Sequence, residues 1–437
     1  MRQHRTIAAV LSAICMGLGQ LYNRQWIKGI LLLIVGVFSL YYFINNLGDA
    51  IWGMATLGDQ GSHLAKVNGL TQMVAGDHSI NLLIEGLITV MMLAVFLVGY
   101  YANIKNAYNA GKQRDMGGAP NNFKQTLNYI FEIKFAQSFL TLPAIGIMFF
   151  TIMPIIFMIL LAFTNYSAPN NLPPANLVDW VGFKTFTNLV ALKTWSHTFF
   201  GVLTWTIIWA VLATVTTYFG GVLVALLIQQ KGIRFKGVWR VILIIPYAIP
   251  QLISLLVMRN MFNGQFGPIN QYLRYFGMDG LPWLTDPFWA KVTVIIVNMW
   301  VGIPVSMLLV MSVLTTIPKD LYEAADVDGA SGFQKFKIIT LPMILFSTAP
   351  VLITQFAGNI NNFNLIFLLT NGNPVVGDYQ YAGATDLLVT WLYKLTLDQQ
   401  RYNMASAIGI IIFLIIATFS IYNYRRTRSF KEEDMIQ

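Results

Sequence analysis

The sequence predicts an all-α membrane protein with about eight transmembrane helices, on three observations. The 437 residues are 56% hydrophobic and 11% charged, whereas soluble globular chains carry about 25% charged residues. Several apolar runs exceed the ~20 residues that a helix needs to cross hydrocarbon. Lysine and arginine gather in alternate connections between those runs, as the positive-inside rule requires of a multi-pass chain.

Residues 1–28 read as a cytoplasmic or interfacial N-terminal helix. The stretch 6–18 is too short to span, and although Arg2 and Arg5 precede it as in a signal peptide, no small-residue cleavage site follows. Region 29–103 holds two accessory spans, 29–46 and 80–103, and 104–136 is a basic cytoplasmic linker. Region 137–424 is a six-helix core with apolar runs at 137–165, 199–229, 239–260, 287–314, 343–368 and 403–424; 425–437 is a cytoplasmic tail.

With the N-terminus inside, the inner segments hold Arg2, Arg5, Arg24 and Lys28, then Lys105, Lys112, Arg114, Lys124 and Lys134. They also hold Lys231, Arg234, Lys236 and Arg240, then Lys319, Lys335 and Lys337, and finally Arg425, Arg426, Arg428 and Lys431. Lys66, Lys184, Lys193, Arg259, Arg274, Lys291, Lys394 and Arg401 are left on or near the outer side. That asymmetry puts both termini in the cytoplasm. The outer connections carry turn signals instead: Asn170-Asn171-Leu172-Pro173-Pro174, Asn263-Gly264, Gly267-Pro268 and Asn371-Gly372-Asn373-Pro374.

Several function classes are excluded. The net charge of +9 belongs to the cytoplasmic loops, and no basic patch interleaved with aromatics suggests nucleic acid. Cys15 is the only cysteine, and His4, His63, His78 and His197 are scattered, so no metal site is expected. No Gly-x4-Gly-Lys-Ser/Thr run provides a nucleotide site, and no catalytic set stands at one depth, so no enzyme is expected. An ion-coupled carrier needs carboxylates inside its bundle; Glu85, in the accessory region, is the only clear one.

The inner connection 315–342 is different in kind. Pro318 suits the first turn of a helix, Asp320 and Glu323 suit its positive end, and Leu321, Ala324 and Ala325 share one face. Gly329 can end the helix with positive φ, Phe333, Phe336 and Ile339 restart an apolar face, and Pro342 opens the next span. This is a helix–turn–helix on the inner surface. Its pattern, Glu323-Ala324-Ala325, Gly329, Ile339, Leu341 and Pro342, resembles the EAA signature of ABC importer permeases. The resemblance implies a type I ABC importer transmembrane domain whose short helix docks on a separate ATPase that binds ATP and Mg, with no cofactor in this chain. Closure of two ATPase subunits then tilts the core spans in alternating access.

Polar groups inside the spans point to cargo. Asn298 and the cluster Asn359, Asn361 and Asn362 place neutral amides within apolar runs; amides both donate to and accept from hydroxyls, and the alternative use is interhelical bonding. Tyr247 and Trp300 offer flat faces to sugar rings, and Gly302 and Gly358 leave room for a bulky ligand. The stretches 245–250, 262–270, 298–302, 359–363 and 369–372 resemble the larger (MalF-like) permease of maltose/maltodextrin-type sugar importers, Gram-positive branch. The resemblance implies sugar contacts at Tyr247, Asn298, Val301, Gly302, Val305, Gln355, Gly358, Asn359 and Asn362. Val305 and Gly358 replace aromatics, and Gln355 a serine, which fits a longer or differently linked oligosaccharide, with galacto-oligosaccharides or multiple sugars as the alternative cargo. It also implies the partners: a second, smaller permease as heterodimer, two ATPases, and an extracytoplasmic sugar-binding lipoprotein at the cytoplasmic membrane of a bacterium.

Overall fold

The computed structural model describes residues 3–67, 70–172, 176–230 and 232–425. Arg2, Pro173, Pro174, Lys231, Arg426, Arg428 and Lys431 lie outside the described residues, as does nearly all of the 425–437 tail. Among the described residues, 7 helices are long and apolar enough to span a membrane, and one bent pair brings the number to 8. The chain divides into two compact units, Met1–Gly182 and Phe183–Gln437.

In the first unit, α1 (His4–Ile14) has 11 residues and rises about 16 Å, too little to cross a bilayer. The chain reverses at Gly17, whose φ is 93° and where a Cβ would lie 2.3 Å from the Gly29 carbonyl oxygen. α2 (Leu18–Tyr22) and α3 (Trp26–Thr56) follow. Ser12 Oγ donates to Gln20 Oε1 (3.1 Å), Gln20 Nε2 to the Asn103 carbonyl (3.1 Å), and Asn23 Nδ2 to the Ala107 carbonyl (3.1 Å). Buried amides thus fasten α1 and α2 to α4 (Ser79–Asp115). For the same reason the expected linker at 104–136 begins as helix: Asn103, Ala107, Ala110 and Gly111 form a buried face, so α4 continues to Asp115.

Between α3 and α4 lies a ribbon that the all-helical expectation omits. β1 (His63–Val67) and β2 (Leu70–Val74) pair antiparallel, His63 opposite Val74 and Val67 opposite Leu70. The Asp77 carboxylate closes its base, accepting the backbone N–H groups of Gln60 and Asp59 at 2.9 Å each. Those bonds hold its carboxyl below the usual carboxylate range. α5 (Phe123–Asn128) then leads to α6 (Phe135–Ile147) and α7 (Met153–Ala162), which a π-helical turn at Met148–Ile152 joins into one span. The expected division between accessory and core regions stood at 137, but this span packs with the first unit, where α7 contacts α4.

The second unit comprises α8 (Lys184–Ala191), α9 (Lys193–Gln229), α10 (Lys236–Ala248), α11 (Gln251–Met261), α12 (Pro268–Tyr275), α13 (Pro287–Thr316), α14 (Lys319–Val327), α15 (Gly332–Lys335), α16 (Leu341–Ile360), α17 (Phe363–Leu369), α18 (Leu388–Leu397) and α19 (Tyr402–Tyr424). α9 and α13 form its central pair, and small residues let them approach: a Cβ on Gly221 would fall 2.4 Å from Ser306 Cβ. One buried cluster gathers Trp205, Trp209, Val294, Val297 and Leu365; another gathers Tyr218, Val222, Met307, Val310 and Ile344.

Two expected spans are interrupted. The run 239–260 is broken at Ile249-Pro250, where α10 and α11 meet at 92°. Proline disfavours helical backbone in the residue before it, and Ile249 is extended, with ψ 134°. The run 343–368 stops as α16 at Ile360, and Asn361 and Asn362 form the turn into α17. The asparagine cluster therefore stands at a helix end, not mid-helix.

Candidate functional site

The break between α10 and α11 opens a cavity of about 740 Å³ against α13 and α16. Tyr247, Ile249, Gln251 and Ser254 line it from the broken span, Val301, Gly302, Val305 and Ser306 from α13, and Val351, Thr354 and Gln355 from α16. Its wall is largely apolar, with amide and hydroxyl groups and no ionisable side chain beyond the Tyr247 phenol. Such a wall suits a neutral, hydroxyl-bearing ligand, since amides and hydroxyls both donate and accept.

Of the residues expected to touch cargo, Tyr247, Val301, Gly302, Val305 and Gln355 stand together on this wall. Asn298, Gly358, Asn359 and Asn362 do not. Asn298 lies about one turn before Val301 on α13, but is buried and off the cavity wall. Asn359 is also buried and committed elsewhere: its side-chain Nδ2 donates to Thr214 Oγ1 at 2.9 Å, and its backbone carbonyl accepts Trp209 Nε1 at 3.0 Å. It locks α16 to α9, the interhelical use of an asparagine. Gly358 is exposed, with nothing within 4 Å of a Cβ built there, and Asn362 serves the α16–α17 turn. Trp300 is likewise off the wall.

A Cβ on Gly302 would lie 2.6 Å from Thr217 Cγ2. The missing side chain permits contact between α13 and α9; it does not widen the cavity. Gln355 combines both roles, since it faces the cavity while Nε2 donates to Thr217 Oγ1 at 2.8 Å. Thr214 and Thr217 on α9 thus receive Asn359 and Gln355 from α16.

Sequence reasoning missed Gln251, Ser254 and Thr354. Ser254 is the most informative of these. It is 4% exposed, lines the cavity, and its Oγ has no hydrogen-bond partner. A buried hydroxyl left unpaired costs about 1–3 kcal/mol, which a ligand hydroxyl would recover. Seven-residue spacing from Tyr247 gave no usable signal, because the break at Ile249-Pro250 puts the two residues on different helices.

At the far end of α13, the loop 315–342 folds as a helical hairpin. α14 contains no buried residue. Glu323 and Ala324 are exposed, Ala325 is half-buried, and Leu321 and Phe333 add exposed apolar surface. Gly329 has φ 73° and closes the turn. Ser331 and Gln334 form a capping box for α15. A π-helical turn at Phe336–Thr340 carries Ile339 into Leu341 and Pro342 at the start of α16. Two contacts tie α14 to that base: Tyr322 Oη to Thr340 Oγ1 at 2.8 Å, and Lys335 Nζ to Asp326 Oδ1 at 2.5 Å. These contacts join α14 to the start of α16.

A broken-helix cavity joined to an exposed helical hairpin is the architecture of a membrane-spanning transport permease. Residues 218–428 match the family "Binding-protein-dependent transport system inner membrane component". Over 99% of its length and 100% of the relative, the chain is 41% identical to the galactooligosaccharides transport system permease protein GanP of Bacillus subtilis. It is 35% identical to the maltodextrin transport system permease protein MalC of Streptococcus pneumoniae, covering 100% of this chain and 99% of that one. The crystal structure of a bacterial ABC transporter involved in alginate import has the same fold, with TM-score 0.55 over 70% of this chain and 98% of that one at 22% identity. The chain belongs to the ABC importer permease family, and its full-length relatives are oligosaccharide-transport permeases.

Proposed function

We propose that this chain translocates maltodextrin-type oligosaccharides by alternating access through the cavity of α10, α11, α13 and α16. The supporting observation is the wall itself: about 740 Å³, with Gln251, Ser254, Thr354 and Gln355 as neutral polar groups beside the Tyr247 ring. Tyr247 stacks on a sugar ring, Ser254 and Gln355 bond hydroxyls, and Val301, Gly302 and Val305 bound the volume. Galacto-oligosaccharides are the second reading, favoured by the 41% identical relative.

In this reading the chain lies in a bacterial cytoplasmic membrane with both termini inside, so α14 faces the cytoplasm. It pairs with a second, smaller permease. The surface of Glu323, Ala324 and Ala325, backed by Gly329, Ile339, Leu341 and Pro342, docks one of two ATPase subunits. ATP and Mg are bound there, and this chain carries no cofactor. An extracytoplasmic lipoprotein delivers the sugar.

The test is ATP hydrolysis by the complete transporter reconstituted with its binding protein, across maltodextrins, galacto-oligosaccharides and an acidic oligosaccharide. Stimulation by maltodextrins and none by the acidic sugar is expected. Stimulation by galacto-oligosaccharides alone moves the cargo to the second reading, and a preference for the acidic sugar overturns the neutral-cavity assignment.

A further inference from the structure

A second cavity, about 650 Å³, opens between α9 and α13 at the end of α13 remote from α14. Its wall contains Lys193, Lys291 and His197 and no carboxylate. Lys291 Nζ stands 4.7 Å from the centroid of the Trp205 ring. Among the described residues, no ion pair reaches either lysine. The Tyr379 phenol is seated on backbone: a Cβ on Gly201 would lie 2.0 Å from its oxygen, and its ring meets His197 edge-on at 5.5 Å. Ser196 and Thr204 add hydroxyls. Lys193 is exposed and Lys291 half-buried, so the wall carries two positive charges at the end of the membrane helices that an anion can balance.

The surroundings select the kind of anion. Below the cavity, α9 exposes Ile208, Val211, Leu212, Val215 and Phe219, spaced three and four apart along one face. From 208 to 219 the helix rises about 16 Å, close to half of the ~30 Å hydrocarbon core. That is the reach of one acyl chain. A free phosphate would make no use of this strip.

We propose that this cavity holds the headgroup of an anionic phospholipid, with its phosphate between Lys193 and Lys291 and an acyl chain along 208–219. The full chain, purified in detergent, is titrated separately with phosphatidylglycerol, phosphatidylcholine and inorganic phosphate, and bound lipid is counted by native mass spectrometry. Phosphatidylglycerol is retained over phosphatidylcholine. The Lys193→Gln/Lys291→Gln double variant weakens it about 30-fold, from about 1 kcal/mol per cation near a charged lipid surface. Lys291→Arg keeps the charge and the affinity, which separates loss of charge from loss of fold. Equal phosphatidylglycerol affinity in the double variant and the parent overturns the site. Equal retention of phosphatidylcholine overturns its charge selectivity, and displacement of the lipid by millimolar phosphate overturns the lipid assignment.

Discussion

Gly302→Ala separates a glycine that makes room for cargo from one that lets two helices touch. The added Cβ would meet Thr217 Cγ2 at 2.6 Å, well inside the optimal carbon–carbon separation of about 3.5–4.0 Å. One of α9 and α13 has to move, or Thr217 has to leave its rotamer. Overpacking of this kind costs about 1–3 kcal/mol. Thr217 is not free to turn, because its hydroxyl donates to the Ala213 carbonyl at 2.6 Å and accepts Gln355 Nε2 at 2.8 Å. Thr217→Ser removes the offending methyl and keeps both bonds. In the double variant the nearest remaining Thr217-site carbon is Cβ at 3.2 Å, so most of the lost stability should return. Gly358→Ala is the control, since its Cβ meets nothing within 4 Å; it should be neutral or slightly stabilising, alanine being the better helix former by about 1 kcal/mol. The assay is thermal unfolding of the purified chain in detergent for all four variants. Undiminished stability of Gly302→Ala, or failure of Thr217→Ser to restore it, would refute the packing role.

Four further variants have outcomes fixed by the geometry. Asn359→Ala should cost about 0.5–1.5 kcal/mol, in the range of interhelical bonds in membranes, and leave the sugar dependence of transport unchanged; Ser254→Ala should do the reverse, altering sugar dependence with little loss of stability. Asp386 is fully buried and bonded to Lys394 Nζ at 2.6 Å, the Gly383 N–H at 2.7 Å and Thr390 Oγ1 at 2.8 Å. Asp386→Ala leaves Lys394 unpaired at 16% side-chain exposure and should cost about 3–5 kcal/mol, read as protease cleavage within 369–402. Adding Lys394→Met should recover much of that loss, and cleavage unaffected by either change would remove the pair from the loop's support. Tyr322→Phe deletes the hydroxyl contact to Thr340 and should lower transport per ATP hydrolysed without reducing ATPase binding; an unchanged ratio would show that the contact carries no force.

The parts legible in the sequence are those whose determinants are local. Apolar run length placed the spans, and Pro318, Ala324, Ala325 and Gly329 specified a hairpin that the fold contains nearly residue for residue. The ribbon had a local signal too, since Asn68-Gly69 is the dipeptide favoured in two-residue hairpins. The alternation flanking it is weak, so the signal is faint. The bend at Ile249-Pro250 was only half legible: two prolines announce a disturbance, but its 92° angle depends on what packs around it. Least legible was the direction of polar side chains inside helices. Gln355 and Asn359 are one turn apart on α16, yet one lines the cavity and the other is buried against Thr214. Both bond to threonines of α9; what distinguishes them is the cavity that the α10–α11 break leaves beside Gln355, and that is a tertiary fact.

The role of α14 is tested most directly by Glu323→Lys in the reconstituted transporter, with ATP hydrolysis and sugar uptake measured on the same vesicles. Glu323 is exposed on a helix with no buried residue, so the variant should insert normally and keep its fold. The expected result is loss of sugar uptake, with ATP hydrolysis either absent because the ATPase no longer docks or uncoupled from sugar. Uptake at the parental rate, with parental sugar-stimulated hydrolysis, would contradict the assignment of this hairpin as the coupling site.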